Sequence, residues 1–284
     1  MRGAPPTTTS RPGHTVDALS ARERIIAFAS SLQDRRVLTV ERWEYGQTLL
    51  DPRRPRVYDA NLLRVTGGAA GLTVPALLDE ADRILGGAGL AHRRVQIDDE
   101  AVAARLGPGL HSAAWVTERH VLMALMRPLD RRAAVAAEEV TLDRLDEVRE
   151  AALRDSPFAV DAELIAQLRE IDEATSALVA FRCFGVLDGD RVVSGCQLYS
   201  DGVVAQVEDV STLPQYRGRG YARALVSAAI EAARAGGHEL VFVVADADDW
   251  PQELYRRMGF DAVGTVLLAT RPQLLAPGTR RPPA

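Results

Sequence analysis

The stretch of this 284-residue chain whose residue types and spacing could do chemistry is Gln215-Tyr216-Arg217-Gly218-Arg219-Gly220-Tyr221-Ala222. Two glycines alternate with two arginines between a strand-like run, Val203 to Thr212, and a helix-like run, Tyr221 to Ala235. A helix opening on such a turn offers the free N–H groups of its first turn and the positive end of its dipole, which suits an anion. Gly218 and Gly220 let the backbone approach closely with no Cβ in the way. Arg217 and Arg219 add charge beside it. The chemistry is that of a pyrophosphate cradle.

The following residues sharpen this. Leu240 to Ala245 is a continuous apolar run, the pattern of a strand buried on both faces. Pro251 suits a first helical position, and Gly259 suits the residue just past a helix end. The order is strand, phosphate turn, helix, strand, then a short helix ending in Tyr255-Arg256-Arg257-Met258-Gly259-Phe260. From about Thr141 to Pro272 the chain resembles the GNAT superfamily of acyl-CoA-dependent N-acetyltransferases. Gln215, Gly218 and Gly220 meet the family's Gln/Arg-x-x-Gly-x-Gly/Ala signature. Tyr255 with Gly259-Phe260 meets its later one.

The resemblance implies acetyl-CoA as cosubstrate, with no metal. It implies that two parallel strands, Val203–Thr212 and Leu240–Ala245, splay apart, and that the pantetheine arm lies in the gap. The backbone of Val210, Ser211 and Thr212 would then bind that arm, and Arg217 to Ala222, including Tyr221, would hold the pyrophosphate. Tyr255 would protonate the departing thiolate, a role a phenol can fill; the alternative is a core aromatic on an amphipathic helix. The attacking amine must be neutral, and an ordinary one is protonated at pH 7, so a general base is needed. Glu208 is the candidate, because strand alternation puts it on the face of Val210 and Thr212 with Asp209 opposite; a solvated or ion-paired strand residue is the alternative. Asp246 could bind a cationic acceptor or cap the next turn. Trp250 could line the acceptor pocket or staple the helix start.

These residues need elements to position them. Leu142 to Arg154 and Ala162 to Asp172 read as helices, Ser176 to Val186 and Arg191 to Tyr199 as a hairpin of strands. The first half repeats the plan faintly. A helix-like run from Ala76 ends near Gly87-Ala88-Gly89, Arg93 to Ile97 reads as a strand, and both halves close on a strand and an Arg-Pro pair, Val121 to Pro128 and Val266 to Pro272. The expected fold is α/β with an α+β mixed sheet: two tandem GNAT-like domains, each a mixed, mostly antiparallel sheet with a central parallel splayed strand pair and flanking helices. The boundaries read as a disordered tail at 1–15, a degenerate domain at 16–130, a catalytic domain at 138–272 and a tail at 273–284. The first half has Thr66-Gly67-Gly68-Ala69-Ala70-Gly71 where the cradle should be, with no arginine, and no tyrosine matching Tyr255.

Composition narrows the class. Hydrophobic content of 47% supports packed cores, and no apolar run approaches the ~20 residues of a membrane span. Met1 to His14 has no apolar signal-peptide core. A net charge of −5 argues against nucleic acid as the main partner. Cys183 and Cys196 read as buried thiols of a reducing cytoplasm, with a disulfide or an acyl-carrying thiol as the alternative, and the histidines show no metal-ligand spacing. Every Lys/Arg position is arginine, so the chain has no lysine of its own to acetylate. The expected partner is a small-molecule or peptide amine, with neither nucleic acid nor membrane. A non-catalytic acyl-CoA sensor is the alternative function. A nucleotide enzyme fails, because neither Gly-x-Gly-x-x-Gly nor Gly-Lys-Ser/Thr occurs.

Overall fold

The computed structural model of the chain describes residues 17–154 and 160–271; the expected tails at 1–15 and 273–284 lie outside them. The first half comprises α1 (Ala18–Arg36), β1 (Thr39–Trp43), β2 (Gly46–Leu50), β3 (Leu62–Val65), α2 (Val74–Ala81), β4 (Arg93–Ile97), α3 (Glu100–Ser112) and β5 (Val116–Leu125). The second comprises β6 (Glu138–Val140), α4 (Asp146–Arg154), α5 (Ala162–Leu178), β7 (Ala180–Asp188), β8 (Arg191–Ser200), β9 (Val204–Thr212), α6 (Tyr221–Ala235), β10 (Leu240–Asp246), α7 (Pro251–Arg257) and β11 (Phe260–Arg271). Side-chain caps set several helix starts: Asp17 accepts from the Ser20 amide at 2.8 Å, and Asp161 from that of Leu164 at 2.9 Å.

The two halves share one mixed sheet, in the order β1-β2-β3-β4-β11-β5-β10-β9-β8-β7-β6. Each half has one parallel pair, β3 with β4 and β9 with β10; the other pairings are antiparallel. The closing strands are exchanged. β5, from the first half, lies beside β10, and β11, from the second, lies beside β4. The β11/β5 pair forms the seam, running from Phe260 opposite Leu125 to Thr270 opposite Val116. Both strands begin earlier than the apolar runs at Val121 and Val266 indicate, because the long seam pairing recruits their polar starts. Gly259 hooks the seam's end. Its carbonyl accepts from the Met126 and Arg127 amides, each at 3.0 Å. Its φ is +97°, and a Cβ there would lie 2.5 Å from the Arg127 carbonyl oxygen.

Helices cover both faces of the sheet. α6 packs Leu225, Val226, Ala229, Ile230 and Ala233 with Val241 and Val243 of β10 in one core, and α2 and α3 cover the first half's strands in a second. On the opposite face, α1 crosses the seam and packs Ile25, Phe28 and Leu32 with Leu122, Val204, Leu240 and Phe242. β10 is therefore apolar on both faces, as its unbroken run requires.

Three boundaries differ from the sequence reading. The helix read from Leu142 opens as a 3-10 turn, Leu142–Leu145, before α4. The helix from Ala162 does not end at Asp172 but continues to Leu178, so the strand expected from Ser176 starts at Ala180. Tertiary contacts extend it: Arg35 of α1 donates to the Leu178 carbonyl at 2.6 Å. The two parallel pairs also differ. β3 and β4 stay bonded through Val65 and Ile97, and the Asp98 amide donates to the Val65 carbonyl at 3.1 Å. β9 and β10 pair only as far as Val207 and Val243, so Glu208 to Thr212 have no partner on that edge.

Candidate active site

The turn before α6 is built to expose backbone amides. Gly220 is the N-cap with φ +80°, and no side chain caps the helix. Gly218 has φ +76°, and a Cβ on either glycine would meet nothing within 4 Å. Glycine is needed there for the left-handed backbone, and the space above is open. Arg217 Nε reaches the Thr212 carbonyl at 3.3 Å. Arg219 donates to the Gln215 carbonyl at 3.2 Å and lies over the Tyr216 ring, 5.0 Å from its centroid. The arginines thus brace the turn while their surfaces stay exposed.

In the first half the corresponding space is filled. Arg105 donates to the carbonyls of Leu72 at 2.5 Å and Ala69 at 2.7 Å. The Thr73 hydroxyl caps α2. Neither an open amide nest nor a parted strand pair remains there.

From the turn, a groove of about 830 Å³ runs along Val210, Ser211 and Thr212 and past Tyr221 and Ala222 to Leu254 and Tyr255. Its walls carry four arginines that the sequence reading did not select: Arg131 and Arg132, from the link between halves, Arg223 and Arg257. Trp250 also lines it and is 64% exposed, so it does not staple α7. Asp246 accepts from the Asp248 amide at 2.9 Å and caps the turn.

The groove meets the gap between β9 and β10, a cavity of about 190 Å³ lined by Glu208, Asp209, Val210, Ser211, Asp246 and Tyr255. Tyr255 is buried on α7, edge-on to Phe260 with ring centroids 5.9 Å apart. Burial, reinforced by the nearby Glu208 carboxylate, raises its hydroxyl above the usual phenol range.

Behind the gap opens a cleft of about 500 Å³, lined by residues of both halves. Glu208 is half-buried and accepts from the Gln206 amide side chain. Burial and the adjacent Asp209 push its carboxyl up to about 8. Asp209 does not point away, as simple alternation requires. One extra residue is inserted on β9 between the pairs Gln197–Glu208 and Gly195–Ser211. Asp209 takes φ +52° in this bulge. The bulge changes the phase, so Glu208, Asp209 and Ser211 all line the cleft, while the Thr212 hydroxyl bonds Ser194 at 2.7 Å. Nothing in residue types announced a bulge at a non-glycine position.

α4 and α5 complete this wall. Arg149 donates to Asp172, and its Nε stands 3.5 Å from Asp209. Burial and Asp209 raise the Asp172 carboxyl to about 6, against the pull of Arg149. The first half supplies Arg36, Asp59 and His120. Burial pushes Asp59 up, but Arg94, 2.8 Å away, and Arg36 outweigh it and hold the carboxyl below its ordinary value. Burial lowers the His120 imidazole, against the pull of Asp59 and Glu118. No residue of the first half was selected from sequence, because only the strand exchange and α1's crossing bring them here. Among the described residues no His/Cys/Asp/Glu group could hold a metal ion, and no helix is long and apolar enough to cross a membrane.

Open amides on a helix after a parted parallel pair make a site that suits an extended anionic ligand. Residues 145–260 match the Acetyltransferase (GNAT) family, so the second half of this chain carries a GNAT domain. No curated protein matches at a significant level. Solved structures match over both halves. A conserved protein of unknown function from Staphylococcus epidermidis shares 12% identity, covering 84% of this chain and 95% of its own, with a TM-score of 0.65. A GCN5-related N-acetyltransferase from Kribbella flavida shares 20% identity over 89% of this chain and 95% of its own, with a TM-score of 0.57. One from Sphaerobacter thermophilus shares 15% over 74% and 73%, with a TM-score of 0.51. At these identities the likeness is one of fold, and the fold is a tandem of GNAT-like units.

Proposed function

We propose that this protein transfers an acetyl group from acetyl-CoA to a primary amine by direct attack within a ternary complex. One observation carries the proposal: β9 and β10 part after Val207 and Val243, at the place where the arginine-lined groove and the acidic cleft meet. A thioester held there would face the amine without leaving its phosphate anchor. The amides of residues 217–222 would hold the diphosphate, and the unpaired edge of Val210 to Thr212 the pantetheine amides. Bound acetyl-CoA supplies an activated carbonyl; the chain supplies position and proton management.

Glu208 takes the proton that frees the amine lone pair. A carboxyl poised near 8 is a stronger base than an ordinary one. As the nitrogen–carbon bond forms, the carbon–sulfur bond breaks, and the Tyr255 hydroxyl gives its proton to the departing sulfur. That hydroxyl makes no hydrogen bond to another described residue that would compete.

The test is thiol release on mixing the full chain with acetyl-CoA and a panel of primary amines, wild type against Tyr255→Phe. Release that falls about 10²- to 10⁴-fold in the variant supports general-acid transfer. Coenzyme A binding with no release from any amine would favour a non-catalytic sensor instead.

A further inference from the structure

The cleft behind Glu208 carries a cation that makes no ion pair among the described residues. Arg36, in the last turn of α1, is half-buried and lines the cleft. Its guanidinium makes one hydrogen bond, a long one of 3.4 Å to the Thr175 hydroxyl, and pairs with no carboxylate among the described residues. Its charge acts on Asp59, Asp172 and Glu208 from beyond ion-pair distance. Asp59 pairs with Arg94 at 2.8 Å, and Arg149 serves Asp172 and Asp209. A guanidinium offers five donors in a planar fork, and a carboxylate is its bidentate complement.

The end of α1 that carries Arg36 is tied down by its neighbours. Two residues earlier in α1, Asp34 accepts from the buried Arg64 at 2.7 Å. Gln33 is clamped between Arg64, at 2.5 Å, and the Asp59 carbonyl, at 2.9 Å. Leu32, Leu168, Ile171, Val266 and Leu268 are among the cleft's apolar lining residues. The cleft therefore holds carboxylates at Glu208 and Asp209, beside the gap between β9 and β10, a cation at Arg36, and an apolar lining. Its volume of about 500 Å³ falls in the range of roughly 300–1,000 Å³ of small-molecule sites.

We propose that the acceptor is an amino acid with an apolar side chain, its ammonium at Glu208 and Asp209 and its carboxylate on Arg36 of the first half. This rests on the acetyl-transfer reading and deepens it. The degenerate half, on this assignment, selects the acceptor.

The experiment uses matched pairs that differ only by the carboxylate: phenylalanine with phenethylamine, and leucine with isopentylamine. Each is assayed for acetyl-CoA-dependent thiol release and, separately, for binding by calorimetry, with wild type and Arg36→Gln. The amino acid should be preferred by on the order of 10- to 100-fold in kcat/KM and in Kd, the range of a hydrogen bond between charged groups. Arg36→Gln should bring that ratio towards one, chiefly through KM, and Arg36→Lys should restore part of it. A decarboxylated amine used as well as its amino acid overturns the inference, as does a ratio unmoved by Arg36→Gln. Should no compound release thiol, the acetyl-transfer reading fails separately. The binding ratio then decides the role of Arg36, and no binding of either amino acid rejects it.

Discussion

Glu208 sits where a carboxylate is expensive. Burial and Asp209 raise its folded-state value to about 8, far above the ordinary 4.5. Two consequences have opposite signs. Thiol release should rise with pH to a plateau, with an inflection near 8, because only the carboxylate can accept the amine's proton. Glu208→Gln should lose that inflection along with about 10²- to 10⁴-fold of rate, readable in a kcat/KM–pH profile. Stability should run the other way. The folded state binds its proton more tightly than the unfolded, so the favourable contribution is complete below the ordinary carboxylate value and is lost as pH rises through about 8. Glu208→Gln should therefore melt above wild type at about pH 9 and lose that lead by about pH 4. A flat difference in Tm across this range would show that the carboxyl is not perturbed in the folded protein.

Among the elements, the cradle and the bulge show what a linear reading can reach. The Gln215-to-Ala222 spacing is local, and so are α6's apolar stripe and β10's unbroken run, and each turned out where residue types put it. The bulge at Asp209 is not local. It exists because β8 fixes both ends of its register, Gln197 on Glu208 and Gly195 on Ser211, with one residue too many between. The same limit applies to Arg36 and Arg149, whose neighbours are distant in sequence. The cradle can be tested as an element. Gly220→Ala puts a Cβ on a left-handed residue, which costs about 1–2 kcal/mol, yet into open space. We expect a small drop in Tm and a rise in the Kd for coenzyme A, because the first-turn amides re-aim. Gly259→Ala should differ. Its Cβ would collide with the Arg127 carbonyl that the seam brings there, so unfolding midpoint rather than cofactor affinity should take the larger loss.

Across the whole molecule, the exchange of β5 and β11 makes two sequence halves into one folding unit. A fragment beginning at Glu138 would keep β6 to β11 and the complete GNAT match. It would lose β5 from the edge of β10, and α1 from the face that holds Val204, Leu240 and Phe242. Ile25, Phe28 and Leu32 would go with α1, and their partners would be left bare. Full burial of such side chains contributes ~1.5–3 kcal/mol each, so about six of them amount to on the order of 10 kcal/mol. A whole domain is stable by only ~5–15 kcal/mol. β11 could fold back onto β10 in the vacant place, but nothing in the fragment replaces α1. We therefore expect the isolated 138–284 fragment to bind a hydrophobic dye and melt without a cooperative transition. Expressed together with 1–137, it should form a heterodimer with a sharp transition and coenzyme A affinity close to that of the intact chain. A fragment that unfolds cooperatively alone and binds coenzyme A as the full chain does would mean that the exchanged strands are incidental, and that each half is a domain in its own right.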